Sequence, residues 1–216
     1  MIVAIDGPAG SGKGTISKRL SELCGLTYID TGATYRCIAL KVLQNNIDLD
    51  DIGAIIDIAS KIDIKFTKDA QTFMDGVDVS DAIRTMEVTK IVSKVSSIPE
   101  VRSYMVDLQR NMASDDDIIM EGRDITTVVF PNAEYKIYLD ANVDVRVDRR
   151  YLQNMEKGID SSKEEIKKSI IDRDYNDMHK EVGSLMRTPE QIYIDTSNMT
   201  IDEVVDEIRK VIKRWI

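Results

Sequence analysis

Apolar residues recur along the chain with two different periods. Ile2 to Ile5 is a short apolar run suited to a buried parallel strand. After a glycine-rich stretch, Ile16, Leu20 and Leu23 fall on one face of a helix predicted over about 13–24, with Gly25 as its C-cap. Thr27 to Ile29 reads as a second strand, and helices are predicted over 33–43 and 51–61. The period then shortens. Ile62, Ile64 and Phe66 alternate with polar residues, Gln71 to Met74 forms another short run, and Asp75-Gly76 is a hairpin signal. A small antiparallel sheet inserted over about 62–80 follows from this. Further helices are predicted over 87–95 and 99–113, the latter starting at Pro99.

Strands are predicted over 117–120 and 135–139, followed by a helix over 143–156 and a polar turn over 157–162. A charged helix runs on to about Met178, and the chain closes with a strand over 192–194 and a helix over 201–212. Alternating strands and helices predict an α/β fold, a parallel sheet flanked by helices on both faces. The 216 residues, 43% hydrophobic and 31% charged, suffice for one mixed core with one insertion.

A formal charge of −9 argues against a basic face for nucleic acid or acidic membrane. It leaves room for a small anion held by arginines gathered in one cleft. Cys24 and Cys37 lie in apolar helical stretches without metal-ligand spacing and read as structural thiols. The strand pattern begins at Met1, so no signal peptide is expected, and no apolar run is long enough to cross a bilayer. A cytoplasmic location is the expectation.

The strongest local signal is Gly7-Pro8-Ala9-Gly10-Ser11-Gly12-Lys13-Gly14-Thr15, between a predicted strand and a predicted helix. It fits the P-loop pattern, in which glycines let successive amides point inward at phosphate and the helix N-terminus adds positive potential. Lys13 is placed to bridge β- and γ-phosphates. Gly14 stands where many P-loop proteins carry a Ser or Thr that ligates Mg²⁺. A direct hydroxyl ligand is therefore absent at position 14, and Thr15 or Ser11 is left for phosphate contact, with Mg²⁺ held largely by water and ATP oxygens.

The Gly-Lys-Gly-Thr ending resembles the nucleoside monophosphate kinases. Four further segments are similar to bacterial cytidylate kinases: Asp30-Thr31-Gly32-Ala33-Thr34-Tyr35-Arg36, Val79 to Arg84, Pro99-Glu100-Val101-Arg102, and Gly122-Arg123-Asp124 with Val128 to Pro131. The resemblance runs from the first strand to the last helix. It implies a single P-loop NTPase-type kinase domain over 1–216 that moves the γ-phosphoryl group of ATP, with Mg²⁺, onto CMP or dCMP. It also implies a monophosphate-binding region over about 31–115, enlarged by the β insertion, and a lid over about 150–172. Its partners would be the two nucleotides alone, with no nucleic acid or membrane, and a monomer is expected.

By the same resemblance Arg36 and Arg123 hold the monophosphate, and Arg173 sits near the sugar and the moving phosphoryl group. Guanidinium suits this task because it binds phosphate through two parallel hydrogen bonds. Ser93, Arg102 and Asp124 match the positions that read the base, with the Thr31 hydroxyl beside them. Cytosine offers a 4-amino donor and an N3 acceptor, which a carboxylate or hydroxyl and a cation can discriminate. Asp177 matches the residue accepting from the ribose hydroxyl, and Tyr35 packs near the sugar. Arg149 is expected to stack on adenine, and Arg146 and Arg150 to reach the ATP phosphates. Glu121, ending an apolar strand, resembles the acid that orients magnesium-bound water, or serves as a turn acid.

Two positions depart from the pattern. The family's glycine after Gly-Arg-Asp-Ile/Met is Thr126 here, which is strained if that position needs a positive φ. Lys180 replaces the last arginine of R-D-x-x-D-x-x-R, keeping the charge and losing the fork, unless Arg187 moves in. His179, the one histidine, reads as a surface residue. Three rivals remain at this stage. One is another small-molecule P-loop kinase, such as one acting on a different monophosphate or shikimate. Another is a GTPase-type switch, which would require an N-K-x-D not found here. The last is an inactive relative, suggested by Thr126 and Lys180.

Overall fold

The computed structural model describes residues 1–67, 70–113, 117–156 and 158–212. The predicted insertion and the predicted turn over 157–162 thus include residues 68, 69 and 157, which lie outside the described residues. Strands β1 (Ile2–Asp6), β2 (Thr27–Asp30), β6 (Ile118–Gly122), β7 (Tyr135–Asp140) and β8 (Ile192–Asp195) form one parallel sheet in the order β2-β6-β1-β7-β8. Strands β3 (Ile64–Phe66), β4 (Thr72–Met74) and β5 (Val77–Asp78) form the inserted antiparallel sheet. The helices are α1 (Lys13–Cys24), α2 (Thr31–Gln44), α3 (Ile52–Lys61), α4 (Met86–Val95), α5 (Pro99–Asn111), α6 (Val143–Glu156), α7 (Lys163–Met178) and α8 (Ile201–Val211).

The central strands β1 and β6 are buried because helices cover both faces of the sheet. Val3, Ile5, Ile119 and Ile137 pack with Ile16 and Leu20 of α1 and Val204, Val205 and Ile208 of α8. Ala4, Ile118 and Met120 alternate onto the opposite face, against Val106 of α5 and Ile125. A second large cluster joins α2, α3, α4 and α5 through Ile38, Ile55, Val88, Val95 and Met105, and seats the insertion on them through Ile64 and Met74. By contrast, the α6–α7 hairpin has a small core of its own: Val147, Ile166 and Ile170, with Val143 and Tyr151 at its edge.

Two features differ from the sequence reading. Helix α2 starts at Thr31 rather than Ala33, because Asp30 caps it by accepting the Ala33 amide at 3.2 Å. Residues Ile125–Val129 wind into a wide helical turn closed by i→i+5 bonds such as Phe130 N to Ile125 O at 2.7 Å. The cause of that turn is distant in sequence. The Asp6 carboxylate at the end of β1 accepts the Ile125 amide at 2.8 Å, the Thr126 amide at 2.9 Å and the Thr126 hydroxyl at 2.6 Å.

Candidate active site

In a parallel sheet, ligands bind outside the carboxyl ends of the strands. At that edge lies a cavity of about 660 Å³ lined by the loop after β1, the start of α2, α4, the end of β6, and α6 and α7. The loop after β1 is held tightly to the sheet. Gly7 has φ +153°, and a Cβ there would sit 2.0 Å from the Leu139 carbonyl oxygen, so no other residue fits without moving β7. Helix α1 begins at Lys13 with no side-chain cap and no acid in its first turn, leaving its leading N–H groups for an anion. Ser11 lines the cavity, and its buried hydroxyl has no hydrogen-bond partner among the described residues.

Lys13 is 4% exposed and donates to the Pro8 carbonyl at 2.8 Å. Burial first, and then the Arg123 guanidinium, hold its ammonium down to about 7. An anion entering the loop would reverse that. Arg36, Arg123, Arg173 and Lys180 line the same cavity. Arg36 is oriented by the Ile83 carbonyl and the Thr89 hydroxyl, both accepting at 3.0 Å, so the stretch after the insertion aims it.

Arg123, Arg173 and Lys180 share one buried acid. Asp177 accepts from Arg123 Nε at 2.8 Å, pairs with Lys180 Nζ at 3.0 Å and lies 3.7 Å from Arg173 Nε. Burial alone would raise the Asp177 carboxyl, but Arg123, Lys180 and Arg173 outweigh it and bring it to about 2. Burial and the neighbouring Arg123 lower Arg173 to about 10. A spacing of four residues places Arg173 and Asp177 on one face of α7, and Lys180, just past the helix end, folds back to Asp177. Arg187 takes no part: its guanidinium stacks on Tyr193, 3.9 Å from the ring centroid.

At the far end of the cavity, Arg102 pairs with Asp124, with the guanidinium 5.5 Å from the Tyr35 ring centroid and Nη1 donating to the Ser96 carbonyl. Ser93, Thr31 and Tyr35 line the same end. The Thr31 hydroxyl donates to the Glu121 carbonyl at 2.8 Å, tying the start of α2 to the end of β6.

Thr126 departs from the strain expected of it. It is absent from the residues with positive φ, and its buried hydroxyl donates to Asp6 while accepting from Gln191 Nε2 at 2.5 Å. The loop that carries Arg123 and Asp124 is thereby bolted to the strand that carries the phosphate loop.

Arg149 and Arg150 line the cavity, and Arg149 donates to the Thr196 hydroxyl and carbonyl at 3.1 and 2.7 Å. Arg146 does something other than reach for phosphate. Its donors go to the Ala141 and Ala9 carbonyls, both at 3.0 Å, and to Asp174 at 2.7 Å, so it braces the phosphate loop from behind. His179 is exposed and stacks on Tyr175. Arg84 also lines the cavity, 3.4 Å from Asp30, though the sequence reading gave it no role. Asp6 was missed too; its signal was a carboxylate ending an apolar strand just before the first glycine of the loop.

Among the described residues no group of three or more His, Cys, Asp or Glu side chains could hold a metal. The donor set instead suits Mg²⁺ carried mainly by phosphate and water, which needs only one or two carboxylates. Glu121 is such a group. Its Oε1 sits 3.0 Å from where a Gly14 Cβ would be, in the space a hydroxyl side chain would take, and accepts from the Tyr28 hydroxyl at 3.1 Å. Burial and the neighbouring Asp30 raise its carboxyl.

A strand, a glycine-rich phosphate loop and a helix facing a ring of cations define a P-loop kinase. The fold agrees: shikimate kinase from Bacteroides thetaiotaomicron superposes with a TM-score of 0.51 at 11% identity, covering 99% of this chain and 98% of that one. A protein of unknown role from Eubacterium ventriosum gives 0.54 at 13% identity, covering 99% and 98%. The family model for cytidylate kinase matches residues 3–214. The chain is 46% identical to a cytidylate kinase of Lactobacillus gasseri, over 99% of this chain and 94% of that protein. It is 45% identical to one of Alkaliphilus oremlandii, over 98% and 97%. The chain belongs to the cytidylate kinase family.

Proposed function

We propose that this chain transfers the γ-phosphoryl group of ATP to CMP or dCMP, giving ADP and CDP or dCDP. The observation that carries the reading is one cavity lined both by the phosphate loop and by Arg36, Arg123, Arg173 and Lys180. Two nucleotide polyanions repel, so transfer needs fixed cations that hold them together and stabilise the charge spread over the moving group. Lys13 serves the β- and γ-phosphates. Arg36, Arg123 and Arg173 serve the acceptor phosphate and the transferring group. Asp177 fixes the directions of Arg123, Arg173 and Lys180 and accepts from the ribose hydroxyl.

Glu121 would hold the water of a Mg²⁺ that comes with ATP, an ion that would supply neutralisation of phosphate charge. Arg102, Asp124 and Ser93, with Thr31, read the cytosine edge, and Tyr35 packs near the sugar. Arg149 takes the adenine, with Arg150 beside it. Residues 31–115 form the acceptor region and 150–172 the lid, within a single domain over 1–216. The small α6–α7 core supports a lid that moves as a unit, since few buried apolar contacts hold it. Closure excludes water, the competing acceptor.

No described helix is long and apolar enough to cross a membrane, and with that we propose a cytoplasmic monomer. The test is a coupled assay with CMP, dCMP, UMP and AMP as acceptors. CMP and dCMP should be strongly preferred; a preference for AMP refutes the assignment.

A further inference from the structure

A short strap follows α7 and closes back on Asp177. At one end Lys180 pairs with the Asp177 carboxylate at 3.0 Å; at the other the Leu185 amide donates to the Asp177 carbonyl at 2.7 Å, with the Leu185 side chain buried. Between these tethers lies Gly183, at φ +68°. A Cβ built on Gly183 would fall 1.9 Å from Arg102 Nη2 and 2.4 Å from Asp124 Oδ2. The bare backbone of this residue is thus seated on the Arg102–Asp124 pair. The pair is buried, Arg102 4% and Asp124 6% exposed, and Arg102 is further confined by Tyr35 and the Ser96 carbonyl.

We propose that Gly183 is a specificity-determining position, its backbone forming the seat that fixes Arg102 and Asp124 in the arrangement that distinguishes cytosine from uracil. The inference rests on the proposed function. Because the strap is tethered on both sides, a side chain at 183 displaces the guanidinium and the carboxylate rather than the strap. Cytosine presents a donor at position 4 and an acceptor at N3; uracil presents the reverse. A carboxylate and a cation at fixed spacing tell them apart, and a polar site built for one pattern rejects the other strongly. The phosphate loop touches neither group, so ATP binding should not register the change.

The experiment compares Gly183→Ala with Gly25→Ala. Gly25 caps α1 at φ +65° with nothing within 4 Å of its virtual Cβ, so its variant carries the same backbone penalty and no collision. Gly183→Asn is the third protein, because asparagine tolerates the left-handed region yet still brings a Cβ. For each, kcat/KM is measured with CMP and UMP, with KM for ATP and Tm alongside. Both variants at 183 should lower the CMP-to-UMP ratio by about tenfold or more with KM for ATP unchanged, while Gly25→Ala changes Tm alone. A wild-type ratio in either folded variant at 183, or loss of the folded state in both, overturns the inference and leaves the proposed function standing. A wild-type enzyme that does not prefer CMP to UMP overturns the base-reading assignment itself.

Discussion

Thr126 joins Asp6 to Gln191, and removing its hydroxyl should loosen the bolt between the two halves of the site. Thr126→Val keeps the shape of the side chain. The buried Asp6 carboxylate keeps two donors and loses the hydroxyl at 2.6 Å. A hydrogen bond to a charged group contributes about 1.5–3 kcal/mol. Gln191 is 7% exposed, and its Nε2 loses its acceptor at 2.5 Å and retains the Met186 carbonyl at 3.4 Å. A stranded buried donor adds at least about 1 kcal/mol. The loss is therefore about 3 kcal/mol, or roughly 6–12 °C in Tm for a chain of this size.

Thr126→Ser should recover most of this. Gln191→Met placed in the Thr126→Val background should recover little, because it removes the stranded Nε2 but also takes away the Oε1 that accepts the Thr188 amide at 2.7 Å. Differential scanning calorimetry of the four proteins, with CMP kinetics beside it, is the assay. Thr126→Gly, the residue usual in the family, should be destabilised as well and no faster. A Thr126→Val protein that melts with the wild type, or a Ser variant as damaged as the Val variant, refutes the reasoning.

Lys13→Ala should lower kcat by orders of magnitude with Tm maintained, since it removes a buried cation; near-normal turnover contradicts its role. The Lys13 ammonium sits near 7 before ATP arrives, and a bound polyphosphate favours its charged form. ATP binding at pH 8 should therefore take up protons, and binding at pH 6, where Lys13 is already charged, should not; calorimetry in buffers of different ionisation enthalpy reads this. Asp177 is held near 2, below its unfolded value of about 3.9. Its contribution to stability is present above that unfolded value and is lost as pH falls towards 2. The Tm gap between wild type and Asp177→Asn should close over that window, and a constant gap counts against the three-cation arrangement. Lys180→Arg should raise kcat/KM for CMP only a few-fold, because Lys180 already pairs with Asp177. A hundredfold gain would mark the native chain as an impaired relative.

The elements that could be read from the sequence are those whose cause is local. A continuous apolar run marks β1, a period of 3.6 marks α1, alternation marks the inserted sheet, and Asp75-Gly76 does lie at the β4–β5 turn. Arg173, Asp177 and Lys180 could be grouped because the resemblance puts them in one short motif, and the structure brings all three cationic and acidic groups together. What escaped has its cause far along the chain. The wide turn at 125–129 is shaped by Asp6, about 120 residues earlier. Arg146, expected from the resemblance to reach the ATP phosphates, gives its donors to Ala9, Ala141 and Asp174, partners that only the fold brings to it. Gly183 has no local signature at all; its importance is the proximity of Arg102, which only the fold supplies.

The central claim is that two nucleotides are held together so that phosphate leaves ATP only for a cytidine monophosphate. The direct measurement is the fate of γ-³²P-labelled ATP on the purified chain, with and without CMP. The account predicts labelled CDP when CMP is present and almost no label released without it. Label appearing as inorganic phosphate at the same rate in both cases would contradict it.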